Sequence, residues 1–160
     1  MARAVISMGS NLGDRAESLK KAAAALDRLP KCRVVRTSSF YETEPIGVSD
    51  EQPDYINCVA EIETELSPHA LLGACLGIEV ALGRERIYDK CPRVIDLDVI
   101  LYEGYTELGE ELTVPHYAMR ERAFVLLPLS ELYPDLSVYG NDYLEDLEKL
   151  GDQRLRKADI

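Results

Sequence analysis

The sequence predicts an α+β domain of the ferredoxin-like type, with the element order β-α-β-β-α-β, helices packed on an antiparallel sheet and additional C-terminal elements. Short β-prone runs alternate with two helical stretches that carry their own start and stop signals. Turn residues recur at short intervals, and there is no internal repeat or low-complexity segment. The length of 160 residues fits one domain spanning residues 1–160.

The first strand and helix follow from the N-terminal residues. Residues 4–8 are β-prone and run into a Gly-Ser-Asn-Leu-Gly cluster at residues 9–13. This cluster matches neither glycine-rich nucleotide motif, so we predict a simple turn. Asp14 and Glu17 form a variant of the capping box, which predicts a helix that ends just before Pro30.

Two further strands are predicted before the second helix. Residues 34–41 are strand-like, and residues 42–53 form a loop rich in proline, glycine and acids. The run 55–66 alternates between apolar residues and polar or acidic neighbours, which is typical of a strand with one buried face. The predicted buried side chains of that strand are Ile56, Cys58, Ala60 and Ile62.

The second helix and the last strand complete the predicted layer. Ser67 and Pro68 supply an N-cap and a first helical proline, and Gly83 supplies the stop. Residues 96–102 form the fourth strand. Near the C-terminus, residues 142–150 form an acidic amphipathic helix, with Leu144 and Leu147 predicted to point inward.

Composition excludes several classes of partner. The chain has 18 Lys and Arg against 29 Asp and Glu, a net charge of −11, and duplex nucleic acid or an anionic membrane would repel it. Without a signal peptide or an apolar run of about 20 residues, we expect a cytoplasmic protein. The cysteines lack zinc or redox spacing and are predicted to be reduced thiols: Cys32, Cys58, Cys75 and Cys91.

Charge is distributed unevenly along the chain. Residues 37–83 contain no Lys or Arg and nine acidic residues. Basic residues then resume, and in so acidic a chain their cluster is consistent either with an anion site or with a solvated basic loop. These residues are Arg84, Arg86, Lys90, Arg93, Arg120 and Arg122.

Two aspartates on the last strand are the sharpest local signal. Because strand side chains alternate, Asp96 and Asp98 share one face, while Leu97, Val99 and Leu101 are predicted to pack inward. The aspartate Cα atoms would lie about 7 Å apart, close enough for their carboxylates to share a hard cation such as Mg²⁺. The alternative is an exposed sheet edge that carries two solvated acids.

A carboxylate near the apolar side of the second helix needs an explanation. Glu79 falls at the margin of the apolar arc formed by Leu71, Cys75, Ile78 and Leu82. It either anchors another group or reaches out to solvent from a boundary position. The helical pattern alone favours the boundary position.

Two other polar residues could contact a ligand. His116 follows Pro115 and precedes Arg122, an arrangement that fits one wall of a phosphate site or a structural histidine. Asn57 has amide donors and acceptors that suit the edge of a heterocycle, with Tyr55 or Phe124 as a stacking plane. The alternative for Asn57 is an ordinary exposed strand residue.

Together these segments resemble the 6-hydroxymethyl-7,8-dihydropterin pyrophosphokinase family of folate biosynthesis. The resemblance spans about residues 5–134 and leaves 135–160 as a variable C-terminal extension. The most specific parts are the P-R-x-I-D-L-D and V-P-H segments. The matching segments are MGSNLGD (8–14), SFYETEPIG (39–47), QPDYIN (52–57), IE (78–79), LGR (82–84), PRVIDLD (92–98), LTVPHY (112–117) and RAFVL (122–126).

The resemblance implies a ferredoxin-like α+β fold and an ATP-dependent enzyme. It would transfer the pyrophosphoryl group of ATP to the hydroxymethyl oxygen of the pterin and release AMP, using two Mg²⁺ ions held by Asp96 and Asp98. Residues implied in catalysis are Arg84, Arg93, Asp96 and Asp98. Residues implied in ATP binding are Glu79, Arg84, Arg86, Arg93, Val99, Leu112, Thr113, His116, Tyr117 and Arg122. Residues implied around the pterin are Thr43, Pro45, Ile46, Tyr55, Asn57 and Phe124.

The sequence departs from the family in the loop before Pro92, where Lys90 and Cys91 replace the Trp-Gly pair of many members. Two other classes of function compete. A ligand-binding regulatory domain would not need the aspartates, and a simple kinase would release ADP. The expected partners are small molecules, with no nucleic acid and no membrane, and the chain is expected to be a monomer.

Overall fold

The computed structural model describes residues 1–159 as ten strands, four α-helices and a short 3₁₀ turn. The elements are β1 (Ala2–Ser10), α1 (Arg15–Arg28), β2 (Cys32–Thr37), β3 (Tyr41–Thr43), β4 (Tyr55–Thr64), α2 (Pro68–Ala81), β5 (Asp96–Tyr102), β6 (Glu107–Leu108), β7 (Thr113–Val114), the 3₁₀ turn (Met119–Glu121), α3 (Ala123–Leu132), β8 (Ser137–Val138), β9 (Asn141–Asp142), α4 (Leu144–Lys149) and β10 (Arg156–Lys157).

The main sheet is antiparallel and has the strand order β10-β3-β4-β1-β5, with β2 also paired to β4. The strands β2 and β3 thus line the same side of β4 one after the other. This arrangement confirms the predicted ferredoxin-like order. The strands β6 and β7, and β8 and β9, form two small additional sheets.

The sheet has a helix layer on both faces. On the first face, α1 and α2 pack on a core that contains all four predicted buried residues of β4. On the second face, α3 packs on a smaller core built around Val5, Val59 and Leu101. The face of β4 that carries its polar and acidic residues is therefore covered, although its alternating pattern predicted solvent contact.

The predicted helix caps are confirmed. The Asp14 carboxylate accepts a hydrogen bond from the Glu17 backbone N–H at 3.2 Å, and α1 ends at Arg28. The Ser67 hydroxyl accepts from the Ala70 N–H, also at 3.2 Å. Gly83 follows α2 with a φ of +96°, a left-handed conformation that glycine adopts without a steric penalty.

Three local predictions were wrong. The strand β1 continues through Ser10, because Gly9 and Ser10 pair with β4, so the turn begins later than predicted. The predicted strand 34–41 is divided into β2 and β3. In α4, Leu147 packs on the second core but Leu144 is 42% exposed, because the fully buried Tyr143 fills the inward position just before the helix.

A β-bulge lies in the middle of β5. Val5 and Ile6 of β1 are consecutive, yet they pair with Leu101 and Val99, so Ile100 is an extra residue on β5. The bulge reverses the alternation, and Leu101 packs in the second core rather than beside Val99. The prediction that Leu97, Val99 and Leu101 share one face is therefore wrong for Leu101.

A buried carboxylate joins the second face to the C-terminal half of the chain. Glu61 is fully buried and accepts hydrogen bonds from the hydroxyls of Tyr133 and Tyr139 and from the Arg36 guanidinium at 3.0 Å. Arg3 adds an ion pair at 3.5 Å. Burial alone would raise the pKa of Glu61, but these hydrogen bonds and the Arg36 charge outweigh it and lower the pKa.

Replacing Glu61 by glutamine is expected to lower the free energy of unfolding at pH 7 by about 2 kcal/mol, because charge-assisted hydrogen bonds are lost. The pKa of Glu61 is depressed in the folded state, so its stabilisation is present above the ordinary carboxylate pKa and disappears as the pH falls through the folded value. Urea unfolding across that acidic range measures this. The partly exposed Glu63 is the matched control, and equal losses for Glu61→Gln and Glu63→Gln would contradict the prediction.

No helix of residues 1–159 is long and apolar enough to cross a membrane. All four cysteines are free thiols, as predicted.

Candidate active site

The site is built on a row of residues across three neighbouring strands. Asn57 of β4 pairs with Gly9 of β1, which pairs in turn with Asp96 of β5. Two residues further along β5, Asp98 pairs with Ser7 of β1. A Cβ atom on Gly9 would lie 2.7 Å from the Asn57 side-chain oxygen, so glycine leaves the space that this amide occupies.

Two arginines converge on Asp96. The Arg84 Nη1 donates to the Asp96 Oδ1 at 2.9 Å and to the Glu79 Oε2 at 2.6 Å. Arg93 approaches the other Asp96 oxygen at 3.5 Å, and Arg86 lies 3.9 Å from Glu79. Three of the basic residues in the predicted anion cluster therefore lie beside this row. The interpretation as a solvated loop is wrong for Arg84, whose side chain is 7% exposed.

Glu79 is a buried anchor and not a boundary residue. Its carboxylate accepts a hydrogen bond from the Leu97 backbone N–H at 2.8 Å in addition to the one from Arg84. Burial raises the pKa of Glu79, while the Leu97 hydrogen bond and the Arg84 charge oppose that rise. The helical pattern missed this role because both partners come from β5 and from the loop after α2.

The negative charge of Asp98 is only partly compensated by its neighbours. Burial, followed by the charge of Asp96, raises the pKa of Asp98 to about 7, and the charges of Arg122 and Arg84 only partly offset this. A partly buried carboxylate beside a second carboxylate is destabilising unless a cation joins them. The pair is therefore chemically suited to bind a cation.

His116 and Arg122 lie near the aspartate row. Burial, then the charge of Arg122, lowers the pKa of His116 to about 4, so this imidazole is neutral at physiological pH. Its Nδ1 accepts a hydrogen bond from the Ala118 N–H at 3.2 Å, and its ring stacks on Tyr117 with centroids 4.7 Å apart. This geometry fits a positioned neutral histidine.

A cavity of about 350 Å³ opens beside this row. Asn57, only 3% exposed, borders it, and the Asn57 Nδ2 donor has no partner among residues 1–159. A buried, unpaired amide donor is costly and marks a place for a ligand acceptor. The lining residues are Thr43, Glu44, Ile46, Gly47, Val48, Tyr55, Asn57, Lys90, Arg93, Asp96, Tyr117, Ala118, Glu121, Arg122 and Phe124.

Comparison with known proteins decides the family. Residues 5–134 match the model of 7,8-dihydro-6-hydroxymethylpterin-pyrophosphokinase, abbreviated HPPK. The chain belongs to the HPPK family. A protein of Methylorubrum extorquens, named 2-amino-4-hydroxy-6-hydroxymethyldihydropteridine pyrophosphokinase, is 46% identical over 99% of this chain and 100% of its own length. The Haemophilus influenzae protein of the same name is 44% identical over 93% of this chain and 92% of its own.

Solved structures agree with the fold. The Plasmodium falciparum HPPK-DHPS wild type with pteroate aligns with a TM-score of 0.71 over 92% of this chain, at 15% identity. This chain covers 42% of that longer protein. An HPPK-DHPS in complex with substrates gives a TM-score of 0.67 over 94% of this chain, at 14% identity. At such identities the likeness supports the fold alone, and the fold is the ferredoxin-like one predicted.

Residues assigned from the HPPK resemblance are only partly gathered at the cavity. Five of the six pterin assignments line it, whereas Pro45 lines a separate cavity of about 1,000 Å³ between the loop after β3 and the C-terminal segment. Of the ATP assignments, Arg93, Tyr117 and Arg122 line the smaller cavity. The side chains of Val99 and Leu112 are buried in the first core, and the Thr113 hydroxyl donates to the Gly109 carbonyl.

One residue that organises the HPPK site was missed by sequence reasoning. Asn11 is fully buried, and its side-chain oxygen accepts from the Arg93 N–H at 2.9 Å. Its amide nitrogen donates to Gln52 at 3.0 Å and to the Pro53 carbonyl at 3.2 Å. Asn11 thereby joins three loops around the cavity. The available signal is the Gly-Ser-Asn run at the end of β1, whose composition predicts only a turn.

Proposed function

We propose that this chain transfers the β,γ-pyrophosphoryl group of ATP to the hydroxymethyl oxygen of 6-hydroxymethyl-7,8-dihydropterin, a reaction of folate biosynthesis that releases AMP. The names of its relatives describe this pyrophosphokinase activity. One observation in particular supports the assignment: the unpaired Asn57 amide lies in the same strand row as Asp96, where two arginines converge. A heterocycle site and an anion site are thus adjacent.

The pterin is assigned to the 350 Å³ cavity. The Asn57 Nδ2 would donate to an acceptor on the polar edge of the ring, which would satisfy the unpaired donor. Tyr55 and Phe124 supply aromatic surface, and Thr43 and Ile46 close the side nearest to β3. Pro45 borders the neighbouring cavity and would act on the pterin only by shaping the loop that carries Ile46.

The phosphates of ATP are assigned to the arginine cluster. Arg93 and Arg122 line the cavity and would contact the phosphoryl group that is transferred. Arg84 is held between Glu79 and Asp96, so its charge is fixed before substrate binds. Glu79 would then act by positioning Arg84, and the exposed Arg86 and Tyr117 remain free to contact the nucleotide. Val99, Leu112 and Thr113 are proposed to contact ATP through the backbone.

Two Mg²⁺ ions are proposed at Asp96 and Asp98. Residues 1–159 contain no group of three or more His, Cys, Asp or Glu side chains placed to hold a metal. Two carboxylates are nevertheless the protein contribution that Mg²⁺ uses when substrate phosphates and water supply the other oxygens. The raised pKa of Asp98, caused by burial and by Asp96, fits a carboxylate that a cation stabilises. When bound, Mg²⁺ would neutralise charge on the transferring group.

The protein residues act by positioning and electrostatics. Asn57 and the aromatic pair would orient the pterin so that its hydroxymethyl oxygen faces the phosphates in line with the bond that breaks. Arg84, Arg93 and Arg122 would stabilise negative charge on the phosphoryl oxygens. His116 is neutral and already engaged through Nδ1, so we propose neither a histidine nucleophile nor a covalent enzyme intermediate.

The test is to mix the protein with ATP, Mg²⁺ and the pterin and to separate the nucleotides that form. AMP produced in equal amount to a pterin diphosphate supports the proposal. ADP would indicate transfer of a single phosphoryl group, and Mg²⁺-dependent ATP binding without turnover would indicate a regulatory relative. Omitting Mg²⁺ should abolish AMP formation.

We also propose broader properties of the chain. The chain is proposed to act as a monomer in which residues 135–160 belong to one pyrophosphokinase domain as a variable extension. A cytoplasmic location is supported by free thiols, which fit a reducing compartment. The proposed partners are small molecules, with neither nucleic acid nor membrane.

Gly9→Ala is expected to raise the KM for the pterin about tenfold, because the added Cβ would displace the Asn57 side-chain oxygen from its position 2.7 Å away. Steady-state kinetics with the pterin varied at saturating ATP measures this. The matched control is Gly73→Ala within α2, where nothing lies within 4 Å of the new Cβ. The control should keep the KM and gain stability, and a rise in KM in both variants would contradict the steric explanation.

A further inference from the structure

The C-terminal segment contacts the loop that presents Arg122. Gln153 lies outside the residues matched by the family model, which end at 134. Its side-chain oxygen accepts a hydrogen bond from the Ala123 backbone N–H at 2.9 Å, and its side-chain nitrogen donates to the Glu121 carbonyl at 2.8 Å. One amide side chain therefore makes both bonds.

These two bonds flank a single residue. The Glu121 carbonyl and the Ala123 N–H belong to the two peptide groups on either side of the Arg122 Cα. Arg122 occupies the N-cap position of α3, with φ −122° and ψ 100°, and its own side chain makes no capping bond. Gln153 thus supplies the missing cap and restrains the backbone of Arg122 at two points.

The segment that carries Gln153 is itself fixed to the strand β3. Arg156 and Lys157 of β10 pair with β3, and the Ala158 N–H donates to the Phe40 carbonyl at 2.8 Å. The strand β3 ends at Thr43, which lines the same cavity as Arg122 and Phe124. Gln153 consequently connects the Thr43 side of the cavity to the Arg122 side.

We propose that Gln153 is a positioning residue that holds Arg122 and Phe124 in place for substrate binding. This inference rests on the proposed function, since that assigns Arg122 to phosphate and Phe124 to the pterin. The Arg122 guanidinium lies 5.4 Å from the Phe124 ring centroid, so a shift of the helix start would move both groups together. Small displacements of binding groups weaken substrate binding and catalysis.

The experiment compares the wild type with Gln153→Ala and with Asp152→Ala, an exposed neighbour in the same segment. For Gln153→Ala we expect the KM for ATP and for the pterin to rise about tenfold, with kcat changed by less than about twofold. The affinity for a non-hydrolysable ATP analogue should fall by a similar factor. Hydrogen exchange of the Ala123 amide should accelerate at least about tenfold. Asp152→Ala should leave all four quantities unchanged.

The outcomes separate positioning from mere stabilisation. A variant whose only defect is partial unfolding would lose apparent kcat in proportion to its unfolded fraction and keep its KM. That result would overturn the inference. Fast exchange at Ala123 with unchanged KM and unchanged analogue affinity would also overturn it. If the wild type formed no AMP, the proposed function would fail, whereas weaker analogue binding by Gln153→Ala would still support the positioning role.

Discussion

Asp98→Asn is expected to lower kcat/KM for AMP formation by about a thousandfold. The substitution keeps the shape of the side chain but removes one of the two carboxylates proposed to hold Mg²⁺, next to Asp96 on β5. Nucleotide product analysis at several Mg²⁺ concentrations measures the loss. Activity like that of the wild type would contradict both the metal assignment and the proposed reaction.

Stability distinguishes lost chemistry from lost folding in this variant. Burial and the neighbouring Asp96 disfavour the charged form of Asp98, so a neutral amide should leave the free energy of unfolding unchanged or increase it. The control is Asp27→Asn on α1, where the exposed carboxylate accepts a hydrogen bond from the Val34 N–H. That variant should keep full activity. A destabilised, inactive Asp98→Asn would instead indicate a structural role.

Arg84→Ala is expected to lose activity and also about 3 kcal/mol of stability, because the substitution leaves Glu79 buried without its closest cation. Urea unfolding and AMP formation measure the two effects separately. The exposed Arg86, 3.9 Å from the same carboxylate, is the control for stability. Arg86→Ala should change stability by less than about 1 kcal/mol.

A double variant tests the cause of the instability. In Arg84→Ala with Glu79→Gln, the buried Glu79 charge that lost its partner is removed as well, so part of the lost stability should return. Activity should not return, because the cation proposed to face the phosphates is still absent. A double variant as unstable as Arg84→Ala alone would show that packing, and not charge, explains the loss.

The parts of the fold set by local rules were predictable from the sequence. The bounds of α1, α2 and β5 follow from Asp14, Ser67 and an alternating apolar run, which act within a few residues. The ferredoxin-like order followed from the succession of elements. The same alternation predicted that Asp96 and Asp98 share one face, and their pairing with Gly9 and Ser7 of β1 confirms it.

The parts set by distant contacts were not predictable. Asn57 and Glu61 looked like exposed strand residues, yet both are buried, because α3 and the C-terminal segments cover that face. Glu79 looked like a boundary residue, since its partners lie in other elements. The role of Asn11 was missed, because its bonds reach residues about 40 and about 80 positions away, and a local sequence pattern does not record such contacts.

The extra residue at Ile100 divides β5 into two segments with separate requirements. Before Ile100, the acids of the proposed metal site lie on the face of the sheet that points away from α2. After Ile100, Leu101 lies on that same face and packs in the second core. The bulge therefore lets Ile100 and Leu101 both pack in the second core, while Asp96 and Asp98 keep their pairing with Gly9 and Ser7. Deletion of Ile100 would leave Asp98 and Leu101 on the same face, as regular alternation requires, but it would remove one of the two neighbouring side chains that the bulge places in the second core.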